Sequence, residues 1–162
     1  MLRKHSKKYV LLIVLILPWL TVPLLGSKAF KRFLPAAIFI CTFTKAIDIF
    51  GQNKKWWTFY KGIHSFDSMN FFNFGPYLVT SLWVLKMTYG NLPLYFISNT
   101  ILHICFIYFG GLRIVKHFKI FSLVKLTRFQ YLLIDVLRGL LLYGFQYMTE
   151  LKECVHSDRS GN

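Results

Sequence analysis

The chain has 162 residues, of which 55% are hydrophobic, 19% aromatic and only 16% charged, with 20 Lys and Arg against 6 Asp and Glu for a net charge of +14. A soluble fold of this length cannot bury so much apolar surface, and the polar bias, glycine period or cysteine density of disordered, collagen-like or disulfide-stapled chains is missing. The cations stand in blocks between apolar runs without a nucleic-acid reading motif beside them, so no nucleic acid is expected as a partner and an all-α integral membrane bundle is.

A helix needs about 20 mostly apolar residues to cross the hydrocarbon core, with a range of about 17 to 25. After a basic segment 1–8 with Arg3, Lys4, Lys7 and Lys8, five runs qualify, at 9–25, 33–50, 71–89, 92–111 and 130–148, and a polar tail follows at 149–162. The first run contains Pro18 and Pro23, each lacking a backbone donor, and predicts a kinked span. Its basic start resembles a secretory leader, but the apolar part is long for one and no A-x-A-like site follows. The third and fourth runs are joined by Gly90, Asn91, Leu92 and Pro93, turn residues that predict a tight antiparallel hairpin.

Cation counts orient this threading. With the N-terminus cytoplasmic, the inner side collects 12 Lys and Arg from segments 1–8, 51–70 and 112–129, and the outer side collects 5, including Lys152 and Arg159 in the tail. That places the hairpin and the C-terminus outside. Lys54, Lys55, Trp56, Trp57 and Tyr60 follow the second run, where rings and cations suit the headgroup level, and Lys86 can snorkel at the end of the third. The connector 112–129 reads as a plain charged segment, with a surface helix on anionic lipid headgroups as the alternative, because its Ile114, Phe118 and Phe121 cluster is interrupted by Lys125. The aromatic excess reads as lipid-facing bulk.

Polar residues inside such runs should face other helices. At 100 degrees per residue Tyr131, Asp135, Arg138, Leu142 and Gln146 share one arc of the fifth run, with Asp135 and Arg138 spaced to pair within the helix. Cys41, Thr44, Lys45 and Asp48 share a face of the second run, Lys45 and Asp48 being near its inner end, where snorkelling and local pairing suffice. Asn73, Tyr77, Ser81 and Thr88 share one of the third, and Asn99 and His103 one of the fourth. Converging faces give a polar interior whose candidate site is His103, Asp135, Arg138 and Asn99. The bland alternative is that the Asp135 and Arg138 pair only locks the bundle and that His103 is a hydrogen-bonded interior residue.

No nucleotide-binding, zinc-protease or serine-hydrolase motif is present, nor an inverted repeat of the kind that marks many transporters. Cys41, Cys105 and Cys154 lack metal or redox spacing. Nothing places Ser98 with His103 on one face. No catalytic residue, metal or cofactor is therefore assigned. The first expectation is a non-enzymatic protein acting through packing with itself or another membrane protein. A small transporter or proton-coupled permeation unit is the alternative, and a membrane-embedded enzyme the third.

The segments LPWLTVPLLG at 17–26, KRFLPAAIFI at 31–40, KKWWTFY at 54–60 and LLLYGFQ at 140–146 give the chain the style of a group of proteins. It resembles small, uncharacterised multi-pass membrane proteins of Gram-positive spore-forming bacteria. The resemblance implies a bacterial plasma membrane and carries over no catalytic or binding residue.

Overall fold

A computed structural model describes residues 2–60, 68–109 and 111–160, with side chains at 9–60, 69–109 and 111–152. The cation block of segment 1–8, Lys61, Cys154 and Arg159 lie outside the described side chains. The chain is mostly helical. Helix α1 (Leu2–Trp19) ends one residue after Pro18, and the single turn α2 (Val22–Leu25) follows, so the proline-rich run is bent as its composition requires. The bend is held by side chains: Thr21 Oγ1 donates to the Pro18 carbonyl, and Trp83 Nε1 donates to Thr21 Oγ1 at 3.0 Å.

Gly26, at φ 76°, turns the chain into α3 (Ser27–Asn53), which runs 27 residues through Pro35. The third run is one helical rod in three pieces: α4 (Ser68–Phe72), a π-helical turn at Asn73–Tyr77 and α5 (Leu78–Thr88). Pro76 has no N–H to give the regular ladder, and the wider turn accommodates the loss. Gly75, in the same turn, lies against α1, where a Cβ would come within 2.7 Å of the Val14 carbonyl oxygen.

Gly90, at φ 96°, and the Asn91 cap make the short hairpin into α6 (Leu92–Tyr108), Asn91 Oδ1 accepting from Leu94 N at 3.1 Å. The last helix, α8 (Arg128–Ser160), opens on a capping box in which Thr127 Oγ1 accepts from Gln130 N and Gln130 Oε1 accepts from Thr127 N. Its backbone stays helical through the segment read as a polar tail.

Five rods alternate in direction, as side-chain pairings along their length establish. Between α3 and α8, Arg32 meets Glu150, Phe39 meets Phe145 and Asp48 meets Arg138. Between α6 and α8, Tyr95 meets Tyr143 and His103 meets Asp135. Between α3 and the third rod, Phe33 meets Tyr89 and Asp48 meets Asn73. The first and third rods run alongside in one direction, with Trp19 Nε1 donating to the Phe74 carbonyl and Lys86 Nζ to the Leu24 carbonyl. The latter contact gives Lys86 a protein partner where the sequence suggested only snorkelling.

The connectors carry structure that composition alone did not reveal. Strand β1 (Trp57–Phe59) pairs antiparallel with β2 (Phe121–Leu123), Thr58 opposite Ser122. Helix α7 (Gly111–His117) precedes β2. Val115, Ile120 and Phe121 are buried beneath the bundle, so this connector is a folded cap and not a plain charged segment. Ile114, Phe118 and Phe121 do not form one helical face, because α7 stops at His117. Trp57, read as an interfacial ring, is fully buried. Many of the remaining rings also join rods: Phe39 stacks on Phe145 at 4.1 Å and Tyr143 packs on both Tyr89 and Tyr95.

Among the described residues α3 is the one single helix long and apolar enough to cross a membrane, and α6 with α7 passes as a bent pair. The other runs fall short of that test for local reasons. Proline divides the first, the π turn divides the third, and Asp135, Arg138 and Gln146 lower the hydropathy of the fifth.

Candidate functional site

Three buried ionisable groups and a partly buried histidine form one chain through the middle of the bundle. Arg138 on α8 donates from Nη2 to Asp48 Oδ1 of α3 at 2.9 Å and from Nη1 to Asp135 Oδ1 at 3.3 Å. Asp135 Oδ2 lies 3.2 Å from His103 Nδ1 on α6. Asn73, in the π turn, donates to Asp48 Oδ2 at 3.2 Å. Asp48, Asp135 and Arg138 are each 3% exposed. Charge at that depth persists only when paired and hydrogen-bonded.

The shorter pairing of Arg138 is with Asp48 and crosses between helices, whereas the Asp135 pairing lies within α8. Asp48 is therefore a member of the site and not a locally paired residue at a span end. The floor is supplied by Trp57. Arg138 Cζ stands 5.8 Å from its ring centroid, and Trp57 Nε1 donates to the Asp48 carbonyl. Strand pairing positions that ring, and Gly51 leaves room for it: a Cβ there would overlap the indole. Tyr131 packs edge-on to Trp57 from α8. One donor of the guanidinium, Nε, is buried without a hydrogen-bond partner.

The remaining polar stripes converge on the same space. Of the second helix's stripe, Cys41, Thr44 and Asp48 are buried while Lys45 is half-buried. Thr44 Oγ1 donates to Tyr77 OH, and Cys41 Sγ lies 3.5 Å from the Asn73 carbonyl. On α8 Tyr131, Asp135, Arg138, Leu142 and Gln146 are all buried. Asn99 sits one turn from His103 on α6, where its amide closes on Gly139 so tightly that a Cβ there would overlap it. Tyr95 OH donates to the Gly139 carbonyl at 2.7 Å, fixing α6 against α8 beside the site. Ser98 does not line this space.

A cavity of about 430 Å³ adjoins the charged chain. His103, Asn99, Asp48, Asp135 and Arg138 stand in its wall, which is otherwise mainly apolar and aromatic. Helix α1 walls one side with Ile13, Val14 and Leu17, and α6 with α7 walls the other. Those two walls share no extended packing. Leu17 on α1 and Leu102 on α6, at the two walls, are exposed, as are Leu12, Ile16 and Ile101 beside them.

Chemically, the arrangement can hold and move a proton. Asp135 engages His103 Nδ1, so a proton passed on by this ring would leave through Nε2. Among the described residues no three His, Cys, Asp or Glu side chains converge as a metal set, and His103 is committed to Asp135. No known protein family, curated protein or solved structure matches the chain.

Sequence periodicity placed Asp135, Arg138, Asn99 and His103 on faces that meet. It missed Asp48, Asn73 and Trp57 as partners. The stripe of Cys41, Thr44 and Asp48 was a signal for the first. Trp57 gave none, because its burial depends on a strand pairing with residues more than sixty positions away.

Proposed function

We propose that this chain is a five-span protein of a bacterial plasma membrane, N-terminus inside and C-terminus outside, that carries a small solute or a proton through the charged site between its helices. The observation that carries the reading is the chain of Asp48, Arg138, Asp135 and His103 standing in the wall of a cavity that α1 and α6 also line. A lock needs paired charges alone; it does not need a vestibule beside them. Charge at a bilayer midplane costs about 2.5–3.5 kcal/mol even on lenient scales, so its presence calls for a return. The alternation of five rods and the excess of cations at one end of them support the threading.

Packing with another membrane protein is the second reading, favoured by the crossing of α3 and α8 through Arg138 and Asp48. The two separate on solute access. Thr80 lines the cavity outside the charged chain. In a background with Cys41, Cys105 and Cys154 replaced by alanine, Thr80→Cys is expected to react with a membrane-impermeant thiol reagent in both right-side-out and inverted vesicles. Reaction from neither side would sink the permeation reading and leave packing.

A further inference from the structure

We infer that the solute is a lipophilic organic cation, bound beside Asp135 in exchange for the proton of His103. The inference rests on the permeation reading above and adds the class of ligand.

Charge arithmetic comes first. Two carboxylates, Asp48 and Asp135, share one guanidinium. With His103 neutral the chain holds one net negative charge, and with His103 protonated it holds none. Arg138 and His103 are the basic side chains in the cavity wall among the described residues. Arg138 is already committed: both terminal nitrogens bond carboxylates and its face lies over Trp57. The missing positive charge therefore belongs at Asp135 Oδ2, which His103 approaches at 3.2 Å. A proton on the imidazole supplies it, or a cation in the cavity does. Both together would leave an excess charge in a medium of low dielectric, which is costly.

The wall selects the body of that cation. It is built mostly of aliphatic and aromatic groups, among them Phe59, Phe72, Phe106 and Tyr131. Such rings attract a desolvated cation and repel an anion. A volume of about 430 Å³ takes a molecule with several rings and is far too large for a bare metal ion. Leu12, Ile16 and Leu17 on α1 and Ile101 on α6, two helices that line the cavity, are exposed and apolar, which suits a ligand already dissolved in the apolar phase.

The exchange balances. The imidazolium of His103 gives its Nε2 proton to water as the cation enters, and the chain is neutral before and after. The titratable or charged groups around His103 are Asp135, Arg138 and Tyr131 from α8, with Asp48 of α3 and Tyr77 of the third rod behind them. Helices α5 and α7 present uncharged side chains to the cavity.

The test uses the full chain in lipid nanodiscs with tetraphenylphosphonium as the cation and tetraphenylborate as the anion of matched shape. Tetraphenylphosphonium is expected to bind, to release close to one proton per molecule in weak buffer where it displaces the His103 proton, and to bind more weakly on acidification, by up to about tenfold per pH unit. Asp135→Asn should lower the affinity at least about tenfold, which is about 1.4 kcal/mol. Should that variant fold poorly, His103→Gln serves: its affinity should no longer change with pH and no proton should be released. Tetraphenylborate binding as well as the phosphonium would overturn the ligand class while leaving the cavity reading intact. So would absence of phosphonium binding by a chain whose Thr80→Cys is labelled from both sides. Absence of binding together with an unreactive Thr80→Cys would remove both. Proton release that survives in His103→Gln would overturn the exchange.

Discussion

The two halves of the bundle are held by different physics. In the half nearer the hairpin, Ala36, Ala37, Ile40, Leu82, Leu85 and Leu142 form a close-packed apolar core, with aromatic rings joining rods at its edge. In the half nearer the strand pair, a second cluster around Trp57, Ile107, Val115, Phe121 and Tyr131 underlies the charged chain and its cavity. The same helices thus pass from contact packing to ionic pairing within a few turns. The first half is held by apolar contact; the second sets paired charge beside open volume, a combination that costs stability and is expected of a site.

The largest effect separating the halves is expected from Arg138→Leu. It strands Asp48 and Asp135 together, and breaking a buried pair commonly costs about 3–5 kcal/mol. Membrane abundance and thermal melting of the purified protein should both fall sharply, and more than for Asp135→Leu, which leaves the Arg138 and Asp48 pair in place. Equal effects of the two would mean that the crossing from α8 to α3 is not the stronger link.

Gly75→Val comes next. Its side chain meets the Val14 carbonyl, and overpacking of this kind costs about 1–3 kcal/mol. Because α1 walls the cavity, the variant should melt earlier and also change the labelling rate of Thr80→Cys. A drop in melting temperature with unchanged labelling would detach α1 from the cavity.

Tyr95→Phe removes the hydrogen bond to Gly139, and about 0.5–1.5 kcal/mol should be lost without loss of the ring packing on Tyr143. The Gly139 carbonyl keeps its helical bond within α8, so the loss should appear as a modestly lower melting temperature of the purified protein.

The smallest effect belongs to the periphery of the first half. Arg32 donates from Nε and Nη2 to the two oxygens of Glu150 at 2.6 and 2.9 Å, and these hydrogen bonds hold the Glu150 carboxyl below the usual glutamate range. A depressed carboxyl contributes stability above its unfolded value and loses it as pH falls through the folded one. The pair is partly exposed, so about 0.2–1 kcal/mol is expected to disappear on acidification below the glutamate range. Melting of Arg32→Ala across that range should lack this component; identical acid profiles in the two proteins would remove the pair from the account.

Much of the helix layout was legible because it is local. Gly90, Asn91 and Pro93 dictate a hairpin wherever they stand between apolar runs, and Pro18 with Pro23 dictates a bend. The buried face of α8 followed from spacing alone, since Asp135 and Arg138 share an arc whatever packs against it. What spacing does not carry is which helix answers that arc. Asp48 meets Arg138 across 90 residues, a relation set by the order of rods and not by any neighbour in sequence. The same holds for Trp57, whose burial needs β2, and for the π turn that aims Asn73 at Asp48.

The claim that the charged chain is a site, and not only a lock, meets its most direct test in the triple variant Asp48→Leu, Asp135→Leu, Arg138→Leu. Removing the three buried charges at once leaves no charge unpaired, with Asn73 and His103 alone losing carboxylate partners, and apolar replacement of a buried ion cluster is often neutral for stability. Abundance and melting are therefore expected to return close to wild type, while tetraphenylphosphonium binding and its proton release are lost. A triple variant that folds and still binds the cation with proton release would contradict the account.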